Sequence, residues 1–213
     1  MILLCSNGSF ALTHIAKANI AKALDKLPSE ISLLYVTTAG KVMDDHTYLE
    51  SHKKAMAERG YTFRDYNIDG KTESDIDAAL HDHDAVYVEG GNTFFLLKTI
   101  RESGFDKAVK RFLDRGKLYI GSSAGAHVAC PSIAMSTWKI PGDEKPRYGV
   151  DDLTGMSLVP FLVVCHYTAE KEPQTRAGIA STNLSVRILQ DGQGLLVRDG
   201  NAVFLGEGEE IRL

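Results

Sequence analysis

The residues with the most chemical promise lie in the segment Lys117-Leu-Tyr-Ile-Gly-Ser-Ser-Ala-Gly-Ala126. An apolar run enters Gly121-Ser122-Ser123-Ala124-Gly125, a G-x-S-x-G pattern, and a helix is expected after it. In that setting a tight strand-to-helix turn exposes the Ser123 hydroxyl as a nucleophile. Small neighbours suit a crowded turn, and the new helix offers N–H groups and a favourable dipole to a developing oxyanion. The pattern recurs by chance in glycine-rich chains, so its strand–helix setting carries the reading against that of a plain turn.

A serine nucleophile needs a base. His166 is the best placed of the seven histidines, because it follows the apolar run Phe161 to Cys165 and so falls at the end of an expected strand. Sheet enzymes collect their working groups there; a hydrogen-bonded rim histidine is the plainer alternative. His81 and His83, in His-Asp-His-Asp, read as a solvated turn before a strand rather than a metal cluster. His127, four residues after Ser123, reads as a packing or supporting residue of the new helix. The paired glycines of Val88-Glu89-Gly90-Gly91-Asn92 end another apolar run, and adjacent glycines let main-chain N–H groups face a cleft. Taken alone, that stretch reads equally as a simple strand-to-helix turn.

These groups need a scaffold, and the chain is long enough to build one. It has 213 residues, 44% of them hydrophobic and 24% charged, which excludes disorder, collagen and coiled coil as descriptions of the whole. A net charge of −4 argues against broad nucleic-acid binding. Three scattered cysteines do not make a disulfide framework, and Cys165 reads as buried. The opening Met1-Ile-Leu-Leu-Cys reads as a buried strand rather than a signal peptide, and the apolar runs fall short of a bilayer's span. The location expected is cytoplasmic.

Strands are expected at Ile2 to Cys5, Ile31 to Val36, Tyr61 to Ile68, Ala85 to Val88 and Leu118 to Ile120. Between them, helical spacing marks Leu12 to Leu27, His46 to Arg59 and Phe94 to Phe112, the last broken near Gly104. That alternation predicts right-handed crossovers and a parallel sheet covered on both faces. After about Thr154 the short runs Leu158 to Val164, Ser185 to Leu189, Gly194 to Val197 and Ala202 to Leu205 predict a mixed or antiparallel sheet edge. One domain, residues 1–213, is expected.

The blocks Val86-Tyr-Val-Glu-Gly-Gly-Asn-Thr-Phe-Phe-Leu-Leu97, Gly121-Ser-Ser-Ala-Gly-Ala126 with Val128 and Pro131, and Cys165-His-Tyr167, in this order, resemble the peptidase E family of aspartyl dipeptidase-like serine peptidases. The resemblance spans nearly the whole chain. It implies a three-layer α/β fold of the class I glutamine amidotransferase-like (flavodoxin-like) kind, with a mostly parallel sheet, helices on both faces and antiparallel strands towards the C-terminus. It also implies hydrolysis of dipeptides or short peptides with N-terminal aspartate, without metal or organic cofactor.

Residue by residue, the resemblance implies Ser123 as nucleophile and His166 as base, with the Gly91 and Ala124 N–H groups as oxyanion hole beside Gly90. Arg176 of Gln174-Thr175-Arg176 is implied to hold the substrate aspartate, which a guanidinium fork suits. Two acids compete for the third place: Asp143, favoured first, and Asp191. Glu89 departs from the uncharged residue expected beside the glycines; facing the cleft, it would pair with the substrate ammonium. The expected partner is a small peptide, with neither nucleic acid nor membrane, and the protein a monomer or homodimer. Rival readings are a cyanophycinase-like hydrolase of another aspartate-containing amide, and a non-catalytic binding module that has lost its triad acid.

Overall fold

In the computed structural model, which describes residues 1–142 and 144–213, the short apolar runs form strands and the helically spaced ones form the layers that cover them. Strands β1 (Ile2–Cys5), β2 (Ser32–Val36), β3 (Thr62–Tyr66), β4 (Ala85–Val88) and β5 (Leu118–Ser122) alternate with helices α1 (Gly8–Ala11), α2 (His14–Leu24), α3 (Thr47–Glu58), α4 (Glu73–His81), α5 (Thr93–Ser103) and α6 (Phe105–Asp114). Helix α7 (Ala124–Ala129) follows β5. The C-terminal part adds β6 (Leu162–Val164), α8 (Glu172–Ala180), β7 (Val186–Ile188), β8 (Gln193–Arg198) and β9 (Asn201–Gly206). Among the described residues, seven strands share one sheet in the order β3-β2-β4-β5-β1-β8-β9. The first five run parallel, and β8 and β9 extend the sheet antiparallel from β1.

Both faces are covered because successive strand residues point to opposite sides. Leu4, Leu34, Val86 and Tyr119 join α5, α6 and α7 through Phe94, Leu97, Phe105, Phe112 and Val128. Leu3, Leu33, Tyr35, Tyr87 and Ile120 pack on the other face against Phe10, Ala16, Ile20 and Met56. The expected break at Gly104 is real: its φ of +72° ends α5 in the left-handed region, where glycine is at home.

Three expectations change. The helix expected over Leu12 to Leu27 is the shorter α2, which stops at Asp25, whose φ is +51°, and the one-turn helix α1 precedes it unannounced. The solvated turn read at His81 and His83 is reached by α4, which ends at the exposed His81 and is followed by the exposed Asp82, whereas His83 is buried, its ring Nδ1 2.8 Å from the Ala79 carbonyl. The runs near residues 160 and 187 shrink to β6 and β7, which form a separate parallel pair rather than an edge of the main sheet. A parallel pair requires a crossover, and α8 supplies it. The main sheet's antiparallel edge is β8 and β9 alone.

Candidate active site

β5 is parallel to both β1 and β4, so the C-terminal ends of all three meet at one place, and the chain leaves β5 into α7 there. Ser123 lies in that turn with φ +49° and ψ −108°, a strained conformation for a residue with a side chain. It is over-determined from both sides: the Ser123 N–H donates to the Cys5 carbonyl at 3.0 Å, and the His127 N–H donates to the Ser123 carbonyl at 2.9 Å. Gly125 lets α7 sit this close to the sheet, since a Cβ there would stand 2.1 Å from the Val88 carbonyl oxygen. The hydroxyl is thereby turned outward, while Ser122 is buried behind it.

His166 follows β6, and its ring bridges two oxygens. Nε2 lies 2.9 Å from Ser123 Oγ, and Nδ1 lies 2.7 Å from Asp191 Oδ1. An ionised carboxylate only accepts, so Nδ1 carries the proton and the Nε2 lone pair faces the serine hydroxyl. Burial pulls the His166 pKa below its ordinary value, more than the charge and hydrogen bond of Asp191 raise it. The imidazole is therefore neutral near pH 7, the state in which it accepts a proton.

Ser6, which sequence reasoning passed over, ties the group together. Its hydroxyl accepts the His166 N–H at 2.8 Å and lies 3.0 Å from Asp191 Oδ1, to which it donates. Lys171 Nζ donates to the His166 carbonyl at 2.7 Å. Asp143, the acid favoured from sequence, lies outside the described residues; the acid at Nδ1 is Asp191.

Gly90 packs on the serine, its notional Cβ only 3.1 Å from Ser123 Cβ, and Gly91 lines the cleft beside Ser123 and His166. The N–H groups flanking Gly91's are engaged, Gly90's by Glu89 Oε1 at 2.7 Å and Asn92's by the Ala39 carbonyl at 2.8 Å. Gly91 must be glycine: its φ is +147°, and a Cβ would meet the Ala39 oxygen at 2.2 Å. Asn92 caps α5 by accepting from the Phe94 and Phe95 N–H groups.

Glu89 does not face the cleft. Its carboxylate is buried on the opposite face, where Oε2 accepts from Tyr35 Oη at 2.8 Å and meets His52 Nδ1 at 2.8 Å. Oε1 takes the Ser122 hydroxyl as well as the Gly90 N–H. Burial pushes this carboxyl's pKa up, but the His52 contact and the hydrogen bonds outweigh it and hold it below the usual value. With four partners Glu89 has no capacity for a substrate ammonium; it is neither that ligand nor a solvated acid, but a tie between the ends of β2, β4 and β5. Glu89→Ala is expected to destabilise the protein by about 3–5 kcal/mol, because it strands several buried polar groups. Urea unfolding measures this, and a loss below about 1 kcal/mol would contradict the role.

Arg176 is also displaced from its expected task. On α8 it is Thr175 and Gly178 that are buried, while Arg176 points to solvent and donates through Nε to Glu172 Oε1 at 2.7 Å. The side chains around the cleft are instead His127, Ser136, Lys139 and Lys145, together with Gly91, Thr93, Phe94, Ser123 and His166.

Residues 2–213 match the sequence profile of peptidase family S51. The chain belongs to this family. Among its S51 relatives, Peptidase E of Streptomyces coelicolor is 30% identical over 97% of this chain and 84% of its own. An uncharacterized peptidase of Pasteurella multocida is 29% identical over 82% of this chain and 85% of its own. A crystal structure of a Listeria monocytogenes protein assigned to peptidase E superposes with a TM-score of 0.80 at 24% identity, covering 97% of this chain and 98% of that one. The fold is thus class I glutamine amidotransferase-like, as the sequence implied, and S51 membership makes the chain a serine peptidase. No helix among the described residues is long and apolar enough to cross a membrane.

Proposed function

We propose that the protein is an exopeptidase that hydrolyses dipeptides or short peptides with N-terminal aspartate through Ser123, His166 and Asp191. What supports this most is the unbroken run from the Ser123 hydroxyl through His166 to Asp191, centred on a strained strand-to-helix turn. Ser123 Oγ attacks the carbonyl carbon after the aspartate as His166 Nε2 takes its proton. The resulting imidazolium is stabilised by Asp191, which holds the ring in the tautomer needed.

The tetrahedral oxyanion is held by the Gly91 N–H and by the Ala124 N–H, the first of α7 and one of the donors a helix leaves without an internal partner. His166 then protonates the leaving amine, the C–N bond breaks, and an acyl-enzyme remains on Ser123. Water, deprotonated by His166, attacks the ester and regenerates the serine. No metal is needed, because the main-chain donors and the imidazole cover both charges.

The substrate class is tested with Asp-Leu, Glu-Leu, Asn-Leu and Ala-Leu at equal concentration, following free leucine. Asp-Leu is expected to exceed Asn-Leu in kcat/KM by about a hundred-fold or more, as one buried charge-assisted contact provides. Equal rates on Asp-Leu and Asn-Leu would reject aspartate recognition; turnover of none would reject dipeptides as substrates.

A further inference from the structure

The Gly91 N–H, one of the two donors given to the oxyanion above, makes no hydrogen bond among the described residues, whereas the main-chain groups around it are all engaged. The Gly90 N–H donates to Glu89 Oε1 at 2.7 Å, and the Gly90 carbonyl accepts from Tyr48 Oη at 3.0 Å. On the other side, the Gly91 carbonyl accepts from Lys145 Nζ at 3.3 Å, and the Asn92 N–H donates to the Ala39 carbonyl at 2.8 Å. Of these contacts, the one from Tyr48 bears most directly on the free N–H.

The peptide joining Gly90 to Gly91 is planar and trans, so the Gly90 carbonyl and the Gly91 N–H point in opposite directions. Whatever holds that carbonyl therefore aims that N–H. Something must hold it, because two successive glycines let the peptide between them rotate at little cost. Tyr48 reaches it from the first turn of α3, and its hydroxyl enters a gap beside Gly40, where a Cβ would stand 2.7 Å from Oη. One helical turn later His52 meets Glu89 Oε2 at 2.8 Å, so α3 braces both polar groups of Gly90, one directly and one through Glu89. Burial and then the charge of Glu89 push the Tyr48 phenol up to about 12, and it keeps the proton it donates. Tyr48 is not among the described residues that line the Ser123 cleft.

We propose that Tyr48 is a positioning residue for the oxyanion hole: its hydroxyl, by fixing the Gly90 carbonyl, keeps the Gly91 N–H pointed at the reacting carbonyl oxygen. This rests on the peptidase reading above only in taking that N–H as an oxyanion donor, and it holds for any acyl group that Ser123 attacks. A donor aimed in advance needs no reorganisation as charge develops, which is where such a site gains its rate.

Tyr48→Phe removes the hydroxyl and keeps the ring that fills its half-buried place. For Asp-Leu, kcat is expected to fall by about ten-fold or more, short of the roughly 10²–10³ that deleting a donor outright costs. KM should stay within about two-fold, because the contact matters only in the transition state. Tyr48→Leu, which also lacks the hydroxyl, should lose no less. The acid limb of the kcat/KM profile should stay where it is in wild type, since His166 and Asp191 are untouched.

An alkyl fluorophosphonate reads the same hole without a peptide. Ser123 Oγ bonds to phosphorus as His166 takes its proton, fluoride leaves, and the phosphoryl oxygen occupies the hole. The rate constant for labelling should drop in Tyr48→Phe by about the same ten-fold. Slowed labelling in the variant, with no dipeptide turned over by wild type, would uphold the positioning role and reject the substrate reading alone. A kcat and a labelling rate in Tyr48→Phe within about three-fold of wild type, a loss confined to KM, or a displaced acid limb would overturn the proposal. A wild type that neither labels nor turns over would overturn it together with the peptidase reading.

Discussion

In the Ser123→Ala protein, kcat for Asp-Leu is expected to fall by about a million-fold, the loss seen when the nucleophile of a Ser-His-acid group is removed. The size follows from geometry. Without Oγ, His166 Nε2 has no hydroxyl to deprotonate, and no acyl-enzyme forms. What survives is the binding and oxyanion contribution, a residual rate of about 10³–10⁴ over water. Stability should move by less than about 1 kcal/mol, because the main-chain bonds to Cys5 and His127 remain and Oγ is turned outward. Leucine release and urea unfolding of the same preparation separate the two effects. A folded variant retaining more than about one per cent of wild-type kcat would remove Ser123 from the chemistry.

Asp191→Asn should lower kcat by about 10⁴, with KM little changed. Asparagine can present its amide N–H to Nδ1, which puts the ring proton on Nε2 and turns the base away from its task. Asp143→Asn, by contrast, should leave kcat within about three-fold of wild type. The opposite ranking would transfer the role to Asp143.

The pH profile supplies a second readout. Activity needs neutral His166, so kcat/KM falls as pH drops through the His166 pKa, which lies below the ordinary imidazole value. Asp191's charge raises that pKa; removing it moves the acid limb further down in Asp191→Asn. An unmoved limb would mean that Asp191 does not act on the ring.

What the sequence reveals, and what it hides, divides by the range of the interactions involved. The strands of the parallel sheet and the serine turn are local: Gly121 to Gly125 announces a turn by its own composition, and the apolar runs announce burial. Helix α4 was equally local, since Thr72 and Asp75 make a capping box ahead of Ile76, Ala79 and Leu80, but its few apolar positions mask the period. Arg176 lies one position away from the buried face of α8 and pairs with Glu172. Its neighbour Thr175 faces inward, and Gly178 on the same face packs against Trp138, a contact across 40 residues that no local pattern encodes.

Glu89 and Ser6 failed for a deeper reason. Glu89 is buried because Tyr35, His52 and Ser122 converge on it from three other elements. Ser6 is one unremarkable serine after β1, with partners 160 and 185 residues away. The choice between Asp143 and Asp191 was of the same kind, because counting along the chain does not say which acid the β7–β8 turn returns to His166.

The placement of β1 between β5 and β8 bears on when the protein becomes dangerous to its surroundings. β1 precedes every other strand of the sheet, yet the strand that seats it on one side and the acid that Ser6 contacts come more than 180 residues later. A chain emerging during synthesis, or one clipped between residues 166 and 191, has Ser123 and His166 but lacks the carboxylate that His166 Nδ1 contacts. On the proposed mechanism, hydrolytic competence is therefore coupled to completion of the sheet, so that an unfinished or damaged copy is expected to be silent rather than indiscriminate.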